Sequence, residues 1–242
     1  MFAKVLLVFA AIVGFASAAV PSYIQVCGAR NPDLDACVIK SVAALSDRLR
    51  KGIPELDIPP SDPLTIDKVQ LADMNNFKAV GTDIKLYGLP TYHINSLHID
   101  LPKQQIDIDL QLKDIRMEAL YNVSAKILIP INGKGPIKLN AKDVNAKVKL
   151  HFKLVERGGK KYTYFPTMTT KLNVKDYTVK FEADNFDKTL QEAVSQALGN
   201  SHQEILEATR PNLERVISER CLQIANKICK HFTYDELFPD RE

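Results

Sequence analysis

Between Tyr121 and Glu156 apolar residues fall on every second position: Val123, Ala125, Ile127, Ile129 and Ile131, then Ile137, Leu139 and Ala141. After a one-residue slip the pattern resumes at Val144, Ala146, Val148, Leu150, Phe152 and Leu154, with mostly Lys, Asn, Ser and Asp between. A period of two belongs to strands with one covered and one wet face. The slip at Lys142-Asp143 predicts a β-bulge, with added bend and twist. The same alternation runs through Ile106, Ile108, Leu110 and Leu112. It returns at Met168, Thr170, Leu172 and Val174, then at Tyr177, Val179 and Phe181. Strands therefore dominate from Leu64 to Ala183. "LYGLP", "NGKGP" and "RGGKK" are turn signals that predict hairpins in a meander. No helix-length crossover separates the strands, so the sheet is antiparallel.

Helical periodicity flanks this region. Val38, Val42, Leu45 and Leu49 predict a first helix over about residues 35–51, capped by Asp33 or Asp35 and stopped by Gly52. "IPELDIPPSDP", with four prolines, is an extended connector. From 185 to 232 the pattern is helical, through Leu190, Val194 and Leu198, a break at Gly199-Asn200, then Ile205, Leu206, Leu213, Ile217, Cys221, Ile224 and Ile228. Residues 201–230 make a helix about 45 Å long, with a kink expected at Pro211. An alternating sheet leaves its apolar face to be covered, and this helix is the cover. The fold class is α+β: a highly curved antiparallel sheet wrapped around a long C-terminal helix.

The first residues read as targeting rather than fold. Lys4 precedes an apolar run from Val5 to Phe15, and Ala16-Ser17-Ala18 supplies a small-residue cleavage pattern. Residues 1–18 are thus a signal peptide and 19–242 one domain, secreted into an extracellular fluid. The formal charge of +3 gives no argument for a nucleic-acid partner. Of the four cysteines, Cys27 and Cys37 flank the loop-like "GARNPDLDA" and form a disulfide. Cys221 and Cys229 stand about 12 Å apart along a helix, beyond disulfide reach, and read as small buried residues.

"YNVSAKILIPINGKGPIKL", the Cys27 to Cys37 spacing after the signal peptide, "ALGN" before the long helix, and "ELFP" at Glu236 to Pro239 together resemble the takeout and juvenile-hormone-binding protein family of insects. The resemblance covers the whole mature chain. It implies a helix wrapped by a super-rolled sheet enclosing an apolar tunnel, related to the lipid-binding domains of bactericidal permeability proteins. It implies a secreted carrier of juvenile hormone, a related terpenoid or a fatty-acid-like molecule, in a family connected with feeding and circadian output. The absence of a mid-chain cysteine leans the chain toward the takeout branch.

The inward faces then become candidate walls for a hydrophobic ligand: Leu110, Leu112, Ile127, Ile129, Val148, Leu150, Phe152, Met168, Leu172 and Phe181 from the sheet, with Leu198, Leu206 and Ile217 from the helices. The same residue types fill a plain core. Tyr121, Tyr162, Tyr164 and Tyr177 are candidate polar anchors. There is no G-x-S-x-G elbow and no H-E-x-x-H, and the five histidines show no ligand-like pairing. No enzyme, metal or cofactor is expected. Asp107 and Asp109 read as the wet side of a strand, and Glu192, Glu204, Glu207 and Glu214 as a solvated helix face. Asn122-Val123-Ser124 is a glycosylation sequon, with Asn122 outward. Lys147, Lys149 and Lys153, with Lys171 and Lys175, form a basic patch if their strands are neighbours. That patch carries the alternative reading, a lipid-transfer protein docking weakly on an anionic membrane. The chain is expected to act as a monomer.

Overall fold

A computed structural model describes residues 20–75, 77–126, 130–184, 186 and 188–242. The signal peptide, Ile127 and Ile129 lie outside the described residues, and so does the side chain of Leu198. Helices α1 (Leu34–Ala44) and α2 (Ser46–Lys51) come first. Seven strands follow: β1 (Leu64–Met74), β2 (Phe77–Tyr87), β3 (Tyr92–Asp100), β4 (Gln105–Lys126), β5 (Pro130–Arg157), β6 (Lys160–Asn173) and β7 (Asp176–Phe181). The chain ends with α3 (Lys188–Asn200), α4 (His202–Cys229) and α5 (Tyr234–Leu237). The first helical stretch is two helices rather than one, because the chain tightens at Leu45, whose N–H bonds to Val42 O. Helix α4 runs unbroken through Pro211.

All strands belong to one antiparallel sheet. The two longest, β4 and β5, pair from Gln105↔His151 to Lys126↔Pro130. Shorter strands flank them end to end. β3 lies along residues 105–112 of β4 and β2 along 116–125. β6 lies along 145–157 of β5 and β7 along 137–142. The sheet is therefore four long strands, two of them interrupted, with β1 added beside β2.

The interruptions coincide. β2 gives way to β3 at Gly88–Thr91, and β6 to β7 at Val174-Lys175, both level with Lys113 of β4 and Asp143 of β5. At this line the inward positions change parity. In β5 they are Ile137, Leu139 and Ala141 on one side, and Val144, Ala146 and Val148 on the other. In β4 they are Ile115, Met117 and Ala119, against Ile106, Ile108, Leu110 and Leu112. Leu112 opposes Val144 and Ala141 opposes Ile115, so the register survives intact. The slip at Lys142-Asp143 is thus no one-strand bulge. Both strands skip one residue together, with Asp143 at φ 50° and its Oδ1 accepting from Gln111 Nε2 at 3.3 Å. The result is a crease across the sheet.

Two turn expectations are overturned. "NGKGP" is not a hairpin: Asn132 to Pro136 lie within β5, opposite β4, and the pairing of the two strands extends to Lys126↔Pro130. Gly135 is required by a crossing segment. Glu182 N–H bonds to Pro136 O at 3.1 Å and Asp184 N–H to Lys134 O at 3.0 Å, so a Cβ at Gly135 would stand 2.1 Å from Glu182 O. "LYGLP" joins two strands that pair with β4 and not with each other. There Gly88 takes φ 87° and packs on the backbone of Asp114. "RGGKK" is the expected tight hairpin, with Gly158 and Gly159 both at positive φ.

Candidate ligand-binding interior

Helix α4 crosses the concave face and touches both β6 and β1. Its polar side chains replace the hydrogen bonds that an edge strand lacks. Asn226 bonds both backbone groups of Phe165, accepting at 2.8 Å and donating at 2.9 Å. Glu214 Oε1 accepts the Leu172 N–H at 2.8 Å, and Oε2 takes Lys171 Nζ at 3.0 Å. Ser218 Oγ donates to Glu214 O at 2.7 Å and lies 2.9 Å from Thr170 Oγ1. On the far edge Asn212 Nδ2 donates to Leu71 O at 2.9 Å. The edge of β3 is held by α1, where Asp35 Oδ1 accepts the Ile99 N–H at 2.8 Å. Glu214 is therefore not on a solvated face: only 8% of it is exposed, because a strand edge needs its carboxylate.

The interior differs on the two sides of the crease. On the side of β3 and β6 it is closed. Val148, Leu150 and Phe152 are buried with Phe165 and Cys229, and Met168, Ile106, Ile108 and Leu222 pack against them. Phe152 meets Phe165 edge-on, centroids 6.1 Å apart. Cys27, joined to Cys37 by the expected disulfide at 2.04 Å, belongs to a second closed cluster with Leu34, Leu97 and Ile99. Leu110, Leu112 and Leu172 approach the crease half-buried.

On the side of β1, β2 and β7, Val69, Ile84 and Ala119 are buried, but the inward positions of β7 and of the adjoining ends of β4 and β5 stay accessible. Tyr121, Val123, Ile137, Leu139, Tyr177 and Phe181 are half-buried, and Val179 is 38% exposed. Val216 of α4 faces this side, packed with Val69, Ile84 and Ala119. Leu206 is buried and Ile217 half-buried. Of the expected wall, Phe181 lies at this open end, its ring 5.9 Å from that of Tyr121. Ile137, Leu139, Val179 and Val216, on the same side, were not among the expected wall residues.

The tyrosine hydroxyls are engaged. Tyr121 donates to Glu182 O at 3.0 Å and Tyr177 to His202 O at 2.7 Å, and burial raises the pKa of both. Tyr164 is exposed, with Lys153 Nζ 5.6 Å above its ring, and Arg157 lies 5.8 Å over Tyr162.

The outer face has mixed charge. Lys147 does oppose Lys171 across β5 and β6, as expected of neighbouring strands. Yet Lys147 also opposes Asp109 on β4, Lys149 pairs with Asp107 at 3.5 Å, and Lys171 turns to Glu214. Carboxylates interleave the lysines, so no uniform basic patch forms there. Two grooves open at the crease, one beside Asn95, Asn145 and Leu172, the other beside Gly88, Ile115 and Lys142.

Comparison with known proteins agrees with this architecture. The family model described as haemolymph juvenile hormone binding protein matches residues 5–239. A Schistocerca gregaria protein whose name assigns it β-carotene binding is 24% identical over 223 residues, spanning 90% of this chain and 89% of its own. The crystal structure of Takeout 1 from Epiphyas postvittana superposes with a TM-score of 0.76 at 20% identity, covering 89% of this chain and 100% of that one. Among the described residues no helix is long and apolar enough to cross a membrane. The chain belongs to the haemolymph juvenile hormone binding protein family.

Proposed function

We propose that the chain, as one domain from residue 19 after loss of residues 1–18, is a secreted monomeric carrier. It binds a small hydrophobic ligand between α4 and the sheet, on the β1, β2 and β7 side of the crease. The observation that carries this reading is the row of inward apolar residues left accessible there: Val123, Ile137, Leu139, Val179 and Phe181. A side chain in the inward phase of a curled sheet should be buried, and one that is not marks room for something else. Burial of about 300 Å² of ligand surface is worth about 7 kcal/mol at ~25 cal/mol per Å². That outweighs part of the cost of association, and shape fit or a polar anchor supplies the rest. Binding is an equilibrium without catalysis.

The ligand class, a terpenoid or fatty-acid-like molecule, is supported by the family and by the β-carotene name of the locust relative. Secretion is supported by the Val5–Phe15 apolar run and by the Cys27–Cys37 disulfide, which persists in oxidising compartments. Monomeric action is supported by the capped edges of β1, β3 and β6. A setting in feeding or circadian output accompanies the family resemblance. Native mass spectrometry of the secreted protein, followed by extraction, tests the proposal. A stoichiometric lipophile released on denaturation is the expected result. An empty protein that also refuses terpenoids and fatty acids offered in excess overturns it.

A further inference from the structure

Helix α4 presents to the interior a strip that is apolar with one cationic exception. Val216 packs against β1, β2 and β4, and Ile224 packs against the Ile53–Ile58 loop and Phe232. Arg220 stands one turn from each, on the same face. Its Nε is buried and has no hydrogen-bond acceptor among the described residues. The hydrogen bond it does make runs from Nη1 to Gln223 Oε1 at 3.3 Å, toward the exposed side of the helix. The guanidinium thus sits at a boundary, with one edge inside and one toward solvent.

Nearby carboxylates on α4 are committed elsewhere. Glu214 is held by the Leu172 N–H and Lys171, and Glu219 by Arg215 at 2.9 Å. Arg220 therefore has no counter-ion on its own helix. A buried guanidinium N–H without an acceptor is uncommon, because buried polar groups are hydrogen-bonded. Its planar fork fits a carboxylate, and charge-assisted bonds of that kind are the strong ones.

We infer that Arg220 is the headgroup anchor of the carried ligand and that the ligand is an amphipathic acid. Its carboxylate meets the guanidinium at the boundary, and its hydrocarbon chain lies along the Val216 side of the interior. This rests on the carrier reading, and it selects among hydrophobic ligands. A hydrocarbon such as a carotene has no oxygen to offer Arg220, and a neutral ester offers only a weak acceptor.

The test is displacement of a fluorescent apolar probe, using saturated fatty acids from lauric to stearic and their methyl esters. The wild-type protein should bind the best acid about tenfold tighter than its ester. Arg220→Met should abolish that preference while leaving ester affinity unchanged, and Arg220→Lys should keep part of it. A merely structural arginine would lower affinity for acid and ester alike. Equal affinities in the wild-type protein, or an acid preference surviving in Arg220→Met, overturn the anchor and leave the carrier reading standing. If the wild-type protein takes up neither acid, ester nor probe, the carrier reading falls and the anchor with it. Should Arg220→Met fail to fold, Arg220→Gln provides the same comparison.

Discussion

Asn212 and Glu214, two residues apart on α4, bind opposite edges of the sheet: Asn212 Nδ2 holds Leu71 O of β1, and Glu214 Oε1 holds the Leu172 N–H of β6. Two residues turn a helix by about 200°, so the two side chains point to opposite flanks. One short stretch of helix thereby closes a sheet that would otherwise end in two open edges. Removing Glu214 leaves a buried N–H unpaired, and Glu214→Ala should cost about 2–3 kcal/mol. Asn212→Ala should cost about 1 kcal/mol. Urea unfolding checks both, and Glu214→Gln, which still accepts from Leu172, should recover most of the loss.

Closed and open halves of the interior should respond differently to mutation. Leu150→Ala removes packing beside Phe152 and Phe165 and should cost about 3 kcal/mol with little change in ligand affinity. Val179→Trp fills accessible space at the open end and should weaken binding at least tenfold with stability nearly unchanged. Paired thermal melts and probe titrations separate the two outcomes. Equal effects on binding would disprove the assignment of the ligand to the β7 side.

Glycine is required at Gly135 by contact and at Gly159 by conformation. Gly135→Ala drives a methyl group into Glu182 O and should displace the crossing segment, costing about 3 kcal/mol. Gly159→Ala meets nothing within 4 Å and pays only for φ 73°, about 1 kcal/mol. Denaturant midpoints rank the pair.

Burial pushes the Cys229 thiol from its ordinary 9.0 up to about 12. The folded protein holds this group neutral, and the unfolded chain ionises it at lower pH. Its contribution to stability is therefore complete below pH 9.0 and lost as pH rises toward about 12. Cys229→Ala should flatten that alkaline decline in melting temperature. In the wild-type protein, thiol labelling at pH 8 should reach Cys229 only as fast as the chain opens.

Asn122 is exposed on β4, on the outer face. Expressed through a secretory pathway, the protein should carry an N-glycan there, seen as a mass loss on amidase treatment and absent from Asn122→Gln.

Much of this fold was legible because apolar alternation reports directly on strands. The pairing of Cys27 with Cys37 was legible too, since a short loop between them forces proximity. What misled was glycine. Gly133 and Gly135 carry the composition of a turn, but Gly135 is needed by the backbone of Glu182, whose passage no local pattern announces. Glu214 was misjudged for a similar reason: a carboxylate on a helix looks solvated until a strand edge arrives from far along the chain. The wall residues were harder still. Val148 and Val179 have the same chemistry and phase, and only the tertiary arrangement leaves one sealed and the other accessible.

The crease has a consequence for how such a chain can change over generations. Because β4, β5 and the β6–β7 junction shift phase along one line, a single deletion at Asp143 would turn every later β5 side chain inside out, unless the other two shifted in the same event. Substitutions can accumulate freely on either side, and the hairpin ends can lengthen or shorten. At the crease itself chain length is locked across three segments at once, so relatives that share little sequence should still align there without gaps.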